Sequence, residues 1–301
     1  MESISIQEVA PRDGLQIEDQ FVPTEQKIDL INRLSDAGVD KIEVTSFVSP
    51  KAVPNLKDAE EVMMSINRKK DVTYTALIPN VQGAERAAIC KADEVNLVVS
   101  VSETHNQKNV RRTVDESFRG FSDIASYLSG TDIAVNGTLA TTFGCPFEGN
   151  IDEDRVLKLV DHYLELGVMG ITLADTTGMA NPKQVYKLCR KVLERWPNLP
   201  LTLHFHNTRG MGLANVIEGI HAGVRRFDAS LGGLGGCPFA PGATGNICTE
   251  DLVHMLAFMD YEMRVDLDCL IGVSKYLETI LGHEVAGQVI KAGKITDLHP
   301  V

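Results

Sequence analysis

The amino-acid sequence predicts an α/β fold of the TIM-barrel class, a (β/α)8 barrel followed by extra C-terminal helices. Short apolar stretches typical of strands alternate with amphipathic stretches typical of helices about eight times, and 301 residues suit one such barrel. An open, doubly wound sheet is the alternative, because it shows the same alternation. No Pro- or Ser-rich linker divides the chain. We therefore expect a single domain over residues 1–301, with a helical extension from about residue 266 to residue 301.

The predicted strands are short runs of mostly apolar residues. They cover residues 4–9, 41–45, 72–77, 94–101, 133–141, 170–174, 201–206 and 226–230. The predicted helices have apolar residues at helical spacing and cover residues 24–37, 56–66, 81–90, 114–128, 153–166, 182–195 and 212–221. Thr24 is a candidate N-cap and Gly38 a stop signal for the first helix, and Pro182 occupies a favoured first helical position.

Two histidines stand two residues apart in the seventh predicted strand, Leu201-Thr-Leu-His-Phe-His206. Side chains at this spacing point to the same face of a strand, so His204 and His206 lie side by side. This arrangement suits two ligands of one metal ion. Two hydrogen-bonded core histidines are the alternative.

In a barrel of this class the chemistry takes place at the carboxyl ends of the strands, and polar residues gather there in this sequence. Glu43 lies between two apolar residues of a predicted strand, where a charged residue is costly unless it is paired. The others could also be caps or solvated turns. The candidates are Arg12, Asp13, Glu43, Asp175, His204 and His206.

Composition and charge limit the partners and the compartment. The formal net charge of −12 argues against nucleic acid or an anionic membrane as the main partner, since both require a basic surface. The six cysteines show no Cys-x-x-Cys spacing, so neither a zinc ribbon nor a disulfide framework is predicted. The N-terminus resembles no signal peptide, and no stretch has the length of a membrane span. We expect a soluble, cytoplasmic protein.

Six motifs, placed at or just after the ends of six of the predicted strands, resemble those of the 3-hydroxy-3-methylglutaryl-CoA (HMG-CoA) lyase family nearly end to end. Arg-Asp-Gly and His-x-His are shared with 2-isopropylmalate and homocitrate synthases, whereas the glycine-rich loop that ends in Cys-Pro is specific to the lyases. The motifs are Ala10-Pro-Arg-Asp-Gly-Leu-Gln16, Thr45-Ser-Phe-Val-Ser-Pro-Lys51, Phe143-Gly-Cys-Pro-Phe-Glu148, Ala174-Asp-Thr-Thr-Gly178, His204-Phe-His206, and Gly232-Gly-Leu-Gly-Gly-Cys-Pro238 with Gly245-Asn246.

The resemblance implies a retro-Claisen cleavage of HMG-CoA, or of a close 3-hydroxyacyl-CoA, to acetyl-CoA and acetoacetate or the matching keto acid. It also implies a divalent metal cofactor, Mg²⁺ or Mn²⁺, and a role in leucine degradation and ketone-body formation. The ligands that the resemblance assigns are oxygen and nitrogen donors, which suit Mg²⁺ or Mn²⁺. Structural zinc sites are instead rich in thiolates. The implied metal ligands are Asp13, His204, His206 and Asn246.

Catalytic roles also come from the resemblance. Arg12 would stabilise the developing enolate oxygen, although a salt bridge with Glu43 is an alternative that is compatible with this role. Cys237 would transfer a proton near the acetyl carbon, from a loop that closes over the site. Glu43 and Asp175 would orient Arg12, the ligand imidazoles or the substrate. The general base for the alcohol remains open between Asp13 and His204, which are both also implied metal ligands.

Two departures from the family pattern affect the expected substrate and metal. Asn207 stands where better-known members have Asp, which could alter metal affinity. Ala52 stands where many members carry Trp, which opens space at the barrel mouth for a different 3-hydroxyacyl-CoA.

The expected partners are a small acyl-CoA substrate and, in a homodimer, a second copy of the chain. The basic run at Lys108, Arg111 and Arg112 could meet CoA phosphates, but a solvated surface is the simpler interpretation.

Two other functions remain as alternatives. One is a condensing enzyme of the isopropylmalate or homocitrate synthase type, which forms a carbon–carbon bond with a 2-oxo acid. The other is a barrel that binds a metal or acyl-CoA without turnover.

Overall fold

The computed structural model describes residues 3–236 and 244–298 and shows a closed barrel of eight parallel strands. Each strand pairs with the next along the chain, and β1 pairs with β8. This closure excludes the open, doubly wound sheet. The strands are β1 Ser5–Glu8, β2 Lys41–Ser46, β3 Thr73–Leu77, β4 Glu94–Ser100, β5 Ala134–Ala140, β6 Gly170–Asp175, β7 Leu201–Phe205 and β8 Arg226–Ala229.

Helices surround the barrel, and two more follow it. The extra C-terminal helices of the predicted fold class are thus present. The helices are α1 Thr24–Asp36, α2 Ala59–Ser65, α3 Val81–Ile89, α4 Glu103–Val110, α5 Val114–Leu128, α6 Glu153–Glu165, α7 Pro182–Arg195, α8 Gly212–Ala222, α9 Thr249–Ala257, α10 Leu267–Leu281 and α11 Val289–Ala292. None of the helices in the described ranges has the length and apolar character needed to cross a bilayer.

The two faces of the strands differ in chemistry. The outward face is apolar and packs against the helices, as Ile42 and Val44 of β2 and Leu203 of β7 do in the main core cluster. The inward face carries polar side chains that hydrogen-bond across the barrel, including Glu43 of β2 and Asn96 of β4. A barrel interior of this class is usually filled with branched aliphatic residues. The polar interior of this barrel is therefore unusual, and we attribute it to the functional site at the carboxyl ends of the strands.

Local signals explain most helix boundaries. Helix α5 begins with a capping box in which Thr113 and Glu116 satisfy each other's backbone N–H groups. Helix α7 has Pro182 in its first turn and the Asn181 side chain as its cap. Helix α1 ends before Gly38, which has a positive φ of +87°.

Two predicted helix boundaries were wrong, and one helix was not predicted. Pro23, not Thr24, is the N-cap of α1, and the Thr24 hydroxyl instead donates to Asp58. The predicted helix 56–66 is divided into a 3₁₀ turn, Pro54–Leu56, and helix α2. Helix α4 was not predicted, because its polar sequence has little apolar periodicity. Its N-cap Ser102, which accepts from His105 N, was the available signal.

Candidate active site and metal centre

The turn after β1 carries Arg12 and Asp13 into the barrel mouth. Residues Ala10–Gly14 form one turn of π-helix, a rare conformation that is frequent at functional sites. The Asp13 N–H donates to the Val9 carbonyl at 2.7 Å, which fixes the turn to the end of β1. Arg12 and Asp13 are adjacent in this turn, and both side chains reach the barrel mouth.

Three predicted ligands come together at the carboxyl ends of the strands. One potential ligand atom from each of Asp13, His204 and His206 lies within 4.8 Å of the others, and all three residues are buried. The two imidazole rings stand side by side with their centroids 5.2 Å apart, as the spacing along β7 predicted. Asn246 joins the group, because its Nδ2 donates to Asp13 Oδ2 at 2.7 Å.

The environment of His206 fits a metal ligand. Its Nδ1 is buried without a hydrogen-bond partner among the described residues, and its Nε2 lies 3.9 Å from Asp13 Oδ2. A buried polar atom without a partner is rare in proteins and calls for an explanation. Burial and the neighbouring His204 lower the pKa of His206 to about 4. The ring is therefore neutral near pH 7, which is the form that binds metals.

The acidic member of the group is held ionised. Burial alone would raise the pKa of Asp13, but the charge of Arg12 and the electrostatic interactions with His206 and His204 lower it below its ordinary value. An ionised carboxylate beside two imidazoles and an amide forms a mixed oxygen and nitrogen donor set, which suits Mg²⁺ or Mn²⁺.

Asp228 of β8 holds the ring of His204, and the sequence reasoning missed it. His204 Nδ1 lies 3.1 Å from Asp228 Oδ2. Burial would lower the pKa of His204, yet the hydrogen bond and charge of Asp228 leave it raised. Asp228 is a charged residue inside a short strand, like Glu43, and that shared signal could have identified it.

Arg12 is fixed between two carboxylates. Its Nε donates to Glu43 Oε2 at 2.5 Å and its Nη1 donates to Asp13 Oδ1 at 3.0 Å. Burial would lower the pKa of Arg12, but the charges of Glu43 and Asp13 keep it above its ordinary value. The salt bridge with Glu43 is therefore present. The Nη2 group donates to no described residue and is available to a ligand.

Asp175 lies at the end of β6, and its carboxylate is used by the turn that follows. It accepts from the N–H groups of Met179 and Ala180 at 2.7 and 3.0 Å. Burial raises the pKa of Asp175 to about 6 despite these hydrogen bonds. Within the described residues, its side chain makes no hydrogen bond to Arg12 or to either histidine.

The glycine-rich loop after β8 packs directly against the ligand group. Gly235 has a φ of +105°, and a Cβ there would lie 2.5 Å from Asn246 Nδ2 and 3.1 Å from Asp13 Oδ2. Buried carboxylates anchor the loop, because the Leu231 N–H donates to Glu8 and the Gly232 N–H to Glu250. The predicted catalytic Cys237 lies outside the described residues.

A cavity of about 640 Å³ joins these groups. Arg12, Asp13 and both histidines line it at the metal end, and apolar residues such as Val48 and Ile78 line the walls. An apolar pocket with a few convergent polar groups is typical of a small-molecule site. The residues that line it include Arg12, Asp13, Glu43, Ala52, Asn96, Arg112, His204, His206 and Asp228.

Comparison with known proteins identifies the family. The sequence profile of the HMGL-like family matches residues 3–277. The chain belongs to the HMGL-like family. It is 41% identical to the Bacillus subtilis hydroxymethylglutaryl-CoA lyase YngG over 97% of each chain. It is also 41% identical to the Chloroflexus aurantiacus (R)-citramalyl-CoA lyase, over 98% of this chain and 96% of that protein.

A solved HMGL-like structure is similar over almost the whole chain. It is described as an HMG-CoA lyase from Acinetobacter baumannii in complex with coenzyme A and 3-methylmalate. It is 58% identical to this chain, with a TM-score of 0.96, and the match covers 99% of this chain and 98% of that one. The predicted resemblance to the lyase branch, the barrel and the carbon–carbon lyase class are confirmed. The divalent metal cofactor agrees with the family and with the Asp-His-His group.

Proposed function

We propose that this protein cleaves HMG-CoA, or a close 3-hydroxyacyl-CoA, to acetyl-CoA and acetoacetate or the matching keto acid in a metal-dependent retro-Claisen reaction. One observation carries the proposal: the Asp13, His204 and His206 group and the Arg12 guanidinium face the same cavity. A metal ion held by Asp13, His204 and His206 would bind the hydroxyl and carboxylate oxygens of the substrate. The guanidinium would stabilise the enolate oxygen of the departing acetyl-CoA.

The metal would be held by Asp13, His204, His206 and Asn246, with the Asn246 side-chain oxygen as its donor. A divalent cation bound there supplies positive charge that favours loss of the proton from the substrate hydroxyl. The hydroxyl oxygen then forms the ketone as the adjacent carbon–carbon bond breaks, and the electron pair passes to the thioester as an enolate. The general base remains open between Asp13 and His204.

Arg12 is assigned to the enolate oxygen. The guanidinium is held before the reaction by Glu43 and Asp13, so the charge is already in position when the enolate forms. Glu43 would thus orient Arg12. Asp175 would act on the site through the turn that its carboxylate holds, beside His204 on the neighbouring strand. Cys237 is assigned the proton transfer at the acetyl carbon.

Three substrates of related chemistry are candidates. HMG-CoA is favoured by the Bacillus relative, and citramalyl-CoA, which is one methylene shorter, by the Chloroflexus relative. A thioester of 3-methylmalate is favoured by the small molecule in the Acinetobacter structure. All three carry a hydroxyl group, a carboxylate and a thioester that leaves as an enolate. Ala52, which lines the cavity, contributes little bulk to its wall.

The deciding experiment incubates the protein with each CoA thioester, Mg²⁺ or Mn²⁺, and a reductant. Cleavage of HMG-CoA yields acetyl-CoA and acetoacetate, citramalyl-CoA yields acetyl-CoA and pyruvate, and 3-methylmalyl-CoA yields propionyl-CoA and glyoxylate. A highest kcat/KM with HMG-CoA supports the proposal. Binding of CoA thioesters without any product would instead favour a non-catalytic barrel, and condensation of acetyl-CoA with a 2-oxo acid would favour the synthase type.

We further propose that the protein is cytoplasmic and forms one catalytic domain over residues 1–301. We also propose that it is a homodimer and acts in leucine degradation and ketone-body formation. The net charge of −12 and the scattered cysteines support a reducing compartment and a small-molecule partner over nucleic acid or membrane. Sedimentation analysis of the purified protein tests the homodimer directly.

A further inference from the structure

A row of hydrogen-bonded side chains crosses the barrel interior from β6 to Arg12. Asn136 Nδ2 donates to Thr172 Oγ1 at 3.0 Å and to Asn96 Oδ1 at 2.9 Å. Asn96 Nδ2 in turn donates to Glu43 Oε1 at 2.7 Å. The other oxygen of Glu43 accepts from Arg12 Nε at 2.5 Å. The row thus ends on the guanidinium that we assign to the enolate.

The chemistry of the groups fixes the direction of this row. An ionised carboxylate only accepts hydrogen bonds, so Asn96 must turn its NH₂ group toward Glu43. Its carbonyl oxygen then faces Asn136 and must accept from that side chain. Neither amide can flip without losing a hydrogen bond, and each link therefore restricts the rotation of the next.

Asn96 restricts a torsion that would otherwise be loose. The terminal torsion of a glutamate is broad, so one hydrogen bond from Arg12 does not fix the plane of the Glu43 carboxylate. A second hydrogen bond to the other oxygen does fix it. Glu43 holds Arg12 by its Nε atom and Asp13 holds it by Nη1, so the plane of the Glu43 carboxylate is one of two constraints on the direction of the guanidinium.

We propose that Asn96 is a positioning residue for the lyase reaction: it orients the Arg12 guanidinium through Glu43, without itself taking part in the chemistry. The proposal rests on the proposed role of Arg12. Asn96 also lines the cavity, so direct contact with the substrate is the competing interpretation.

The proposal is tested first by a double-mutant cycle. Asn96→Leu keeps the size of the side chain and removes both of its hydrogen bonds, and kcat should fall roughly 10-fold to 100-fold while KM changes little. In an Arg12→Gln background the same change should have little further effect, because its target is gone. If the two substitutions lower kcat independently, so that their fold effects multiply in the double variant, the proposal is overturned in favour of substrate contact. A large rise in KM for Asn96→Leu would overturn it in the same way.

Thr75→Val is the matched control. Thr75 stands in register with Glu43 on the neighbouring strand, is 1% exposed, and its hydroxyl has no partner among the described residues. Removing this interior hydroxyl should leave kcat and thermal stability near wild type. If Arg12→Gln alone leaves kcat unchanged, the proposed function of Arg12 fails; if only Asn96→Leu is silent, the positioning role fails.

A second variant, Asn96→Asp, tests the proposal through the pH dependence of kcat, which a purely structural role of Asn96 would not change. In Asn96→Asp the introduced carboxyl, when protonated, donates to Glu43 and accepts from Asn136, as the amide does. When it ionises, it repels Glu43 and loses the donor. The nearby charges are Glu43, which pairs with Arg12, and the Lys41–Glu94 pair (2.6 Å apart) on the same two strands as Glu43 and Asn96. The other charged or titratable residues that line the cavity are Asp13, His105, Arg112, His204, His206 and Asp228.

The ratio of variant to wild-type kcat should therefore be near one at low pH and fall as pH rises through the raised pKa of the introduced carboxyl. Taking the ratio cancels ionisations that the two proteins share. If this kcat ratio does not change with pH, whatever its value, the positioning role is overturned. This result is independent of whether Asn96→Leu folds, because Asn96→Asp is nearly isosteric with the native side chain.

Discussion

His204 and Asp228 form a hydrogen-bonded pair across neighbouring strands, with 3.1 Å between His204 Nδ1 and Asp228 Oδ2. The pairing occupies one ring nitrogen, so Nε2 of His204 is the atom that would bind a metal ion. Carboxylates in this position fix the orientation of a ligand imidazole and increase its basicity. A residue absent from every recognised motif thus contacts a candidate ligand directly.

We expect Asp228→Ala to weaken Mn²⁺ binding about 10-fold to 100-fold, the range typical of such partners. Isothermal titration calorimetry measures this directly. Glu218→Ala is the matched control, because Glu218 pairs with the exposed His221 at 3.0 Å on helix α8. Equal Mn²⁺ affinity in wild type and Asp228→Ala would show that Asp228 does not support the ligand.

Register explains why Asp228 was missed whereas the histidines were found. The position of His204 beside His206 follows from the two-residue period of one strand, which is local information. The contact of His204 with Asp228 depends on the pairing of β7 with β8 in that register. Sequence alone predicts that these strands are neighbours but not which of their residues face each other.

The polar interior of the barrel also depends on strand pairing, which the sequence of a single strand does not show. The sequence predicts β4 as a mostly apolar strand, although Asn96 stands between Val95 and Leu97 in it. A strand with one polar face usually turns that face to water. In this closed barrel the polar face instead points inward, and its partners lie on strands about 40 residues apart in sequence. The hydrogen-bonded row could therefore be seen only in the assembled fold.

The second prediction concerns the metal ligands. His206→Ala should abolish the increase in thermal unfolding temperature that Mn²⁺ produces in the wild-type protein, because one ligand of the ion is lost. Activity should be lost with it, while the circular dichroism of the barrel stays unchanged. His221→Ala, an exposed histidine on α8, should retain both the Mn²⁺ effect and the activity. Full turnover in EDTA-treated wild-type protein would contradict the metal assignment.

Arg12 provides the third prediction. Arg12→Gln should lower kcat far more than it raises KM, because the charge acts mainly where the enolate develops. Loss of a comparable donor costs about 2.7–4 kcal/mol of transition-state stabilisation, or roughly 100-fold to 1,000-fold in rate. Steady-state kinetics with HMG-CoA measure both constants. An unchanged kcat would restrict Arg12 to its salt bridge with Glu43.

Cys237 provides the fourth prediction, which concerns a residue outside the described ranges. Cys237→Ser keeps the size of the side chain but replaces a thiol that ionises near pH 8.5 with a hydroxyl that hardly ionises. Turnover should fall roughly 100-fold to 10,000-fold, the range for loss of one acid–base group, while Mn²⁺ affinity stays near wild type. Protection of the thiol from a small alkylating agent by bound product provides a second measurement. Near wild-type turnover in the serine variant would exclude proton transfer by this thiol.

The last prediction concerns Glu8, a fully buried carboxyl beneath the glycine-rich loop. One oxygen accepts from the N–H groups of Ala10 and Leu231, and the other accepts from the Thr249 hydroxyl. Burial raises the pKa of Glu8 from 4.5 to about 7 despite these hydrogen bonds, and the nearby Glu250 adds to the rise. The folded protein therefore binds a proton more tightly than the unfolded chain does.

The sign of the pH effect follows from this difference. Between about pH 4.5 and about pH 7 the folded state holds the proton that the unfolded state has lost, so the free energy of unfolding falls as pH rises. In Glu8→Gln the amide oxygen keeps both backbone donors, and its NH₂ group can donate to Thr249, as the protonated acid does. Relative to wild type, the variant should gain on the order of 3 kcal/mol between these pH values. Urea unfolding of both proteins in EDTA, at several pH values, measures the difference, and parallel curves would show that folding does not raise the pKa of Glu8.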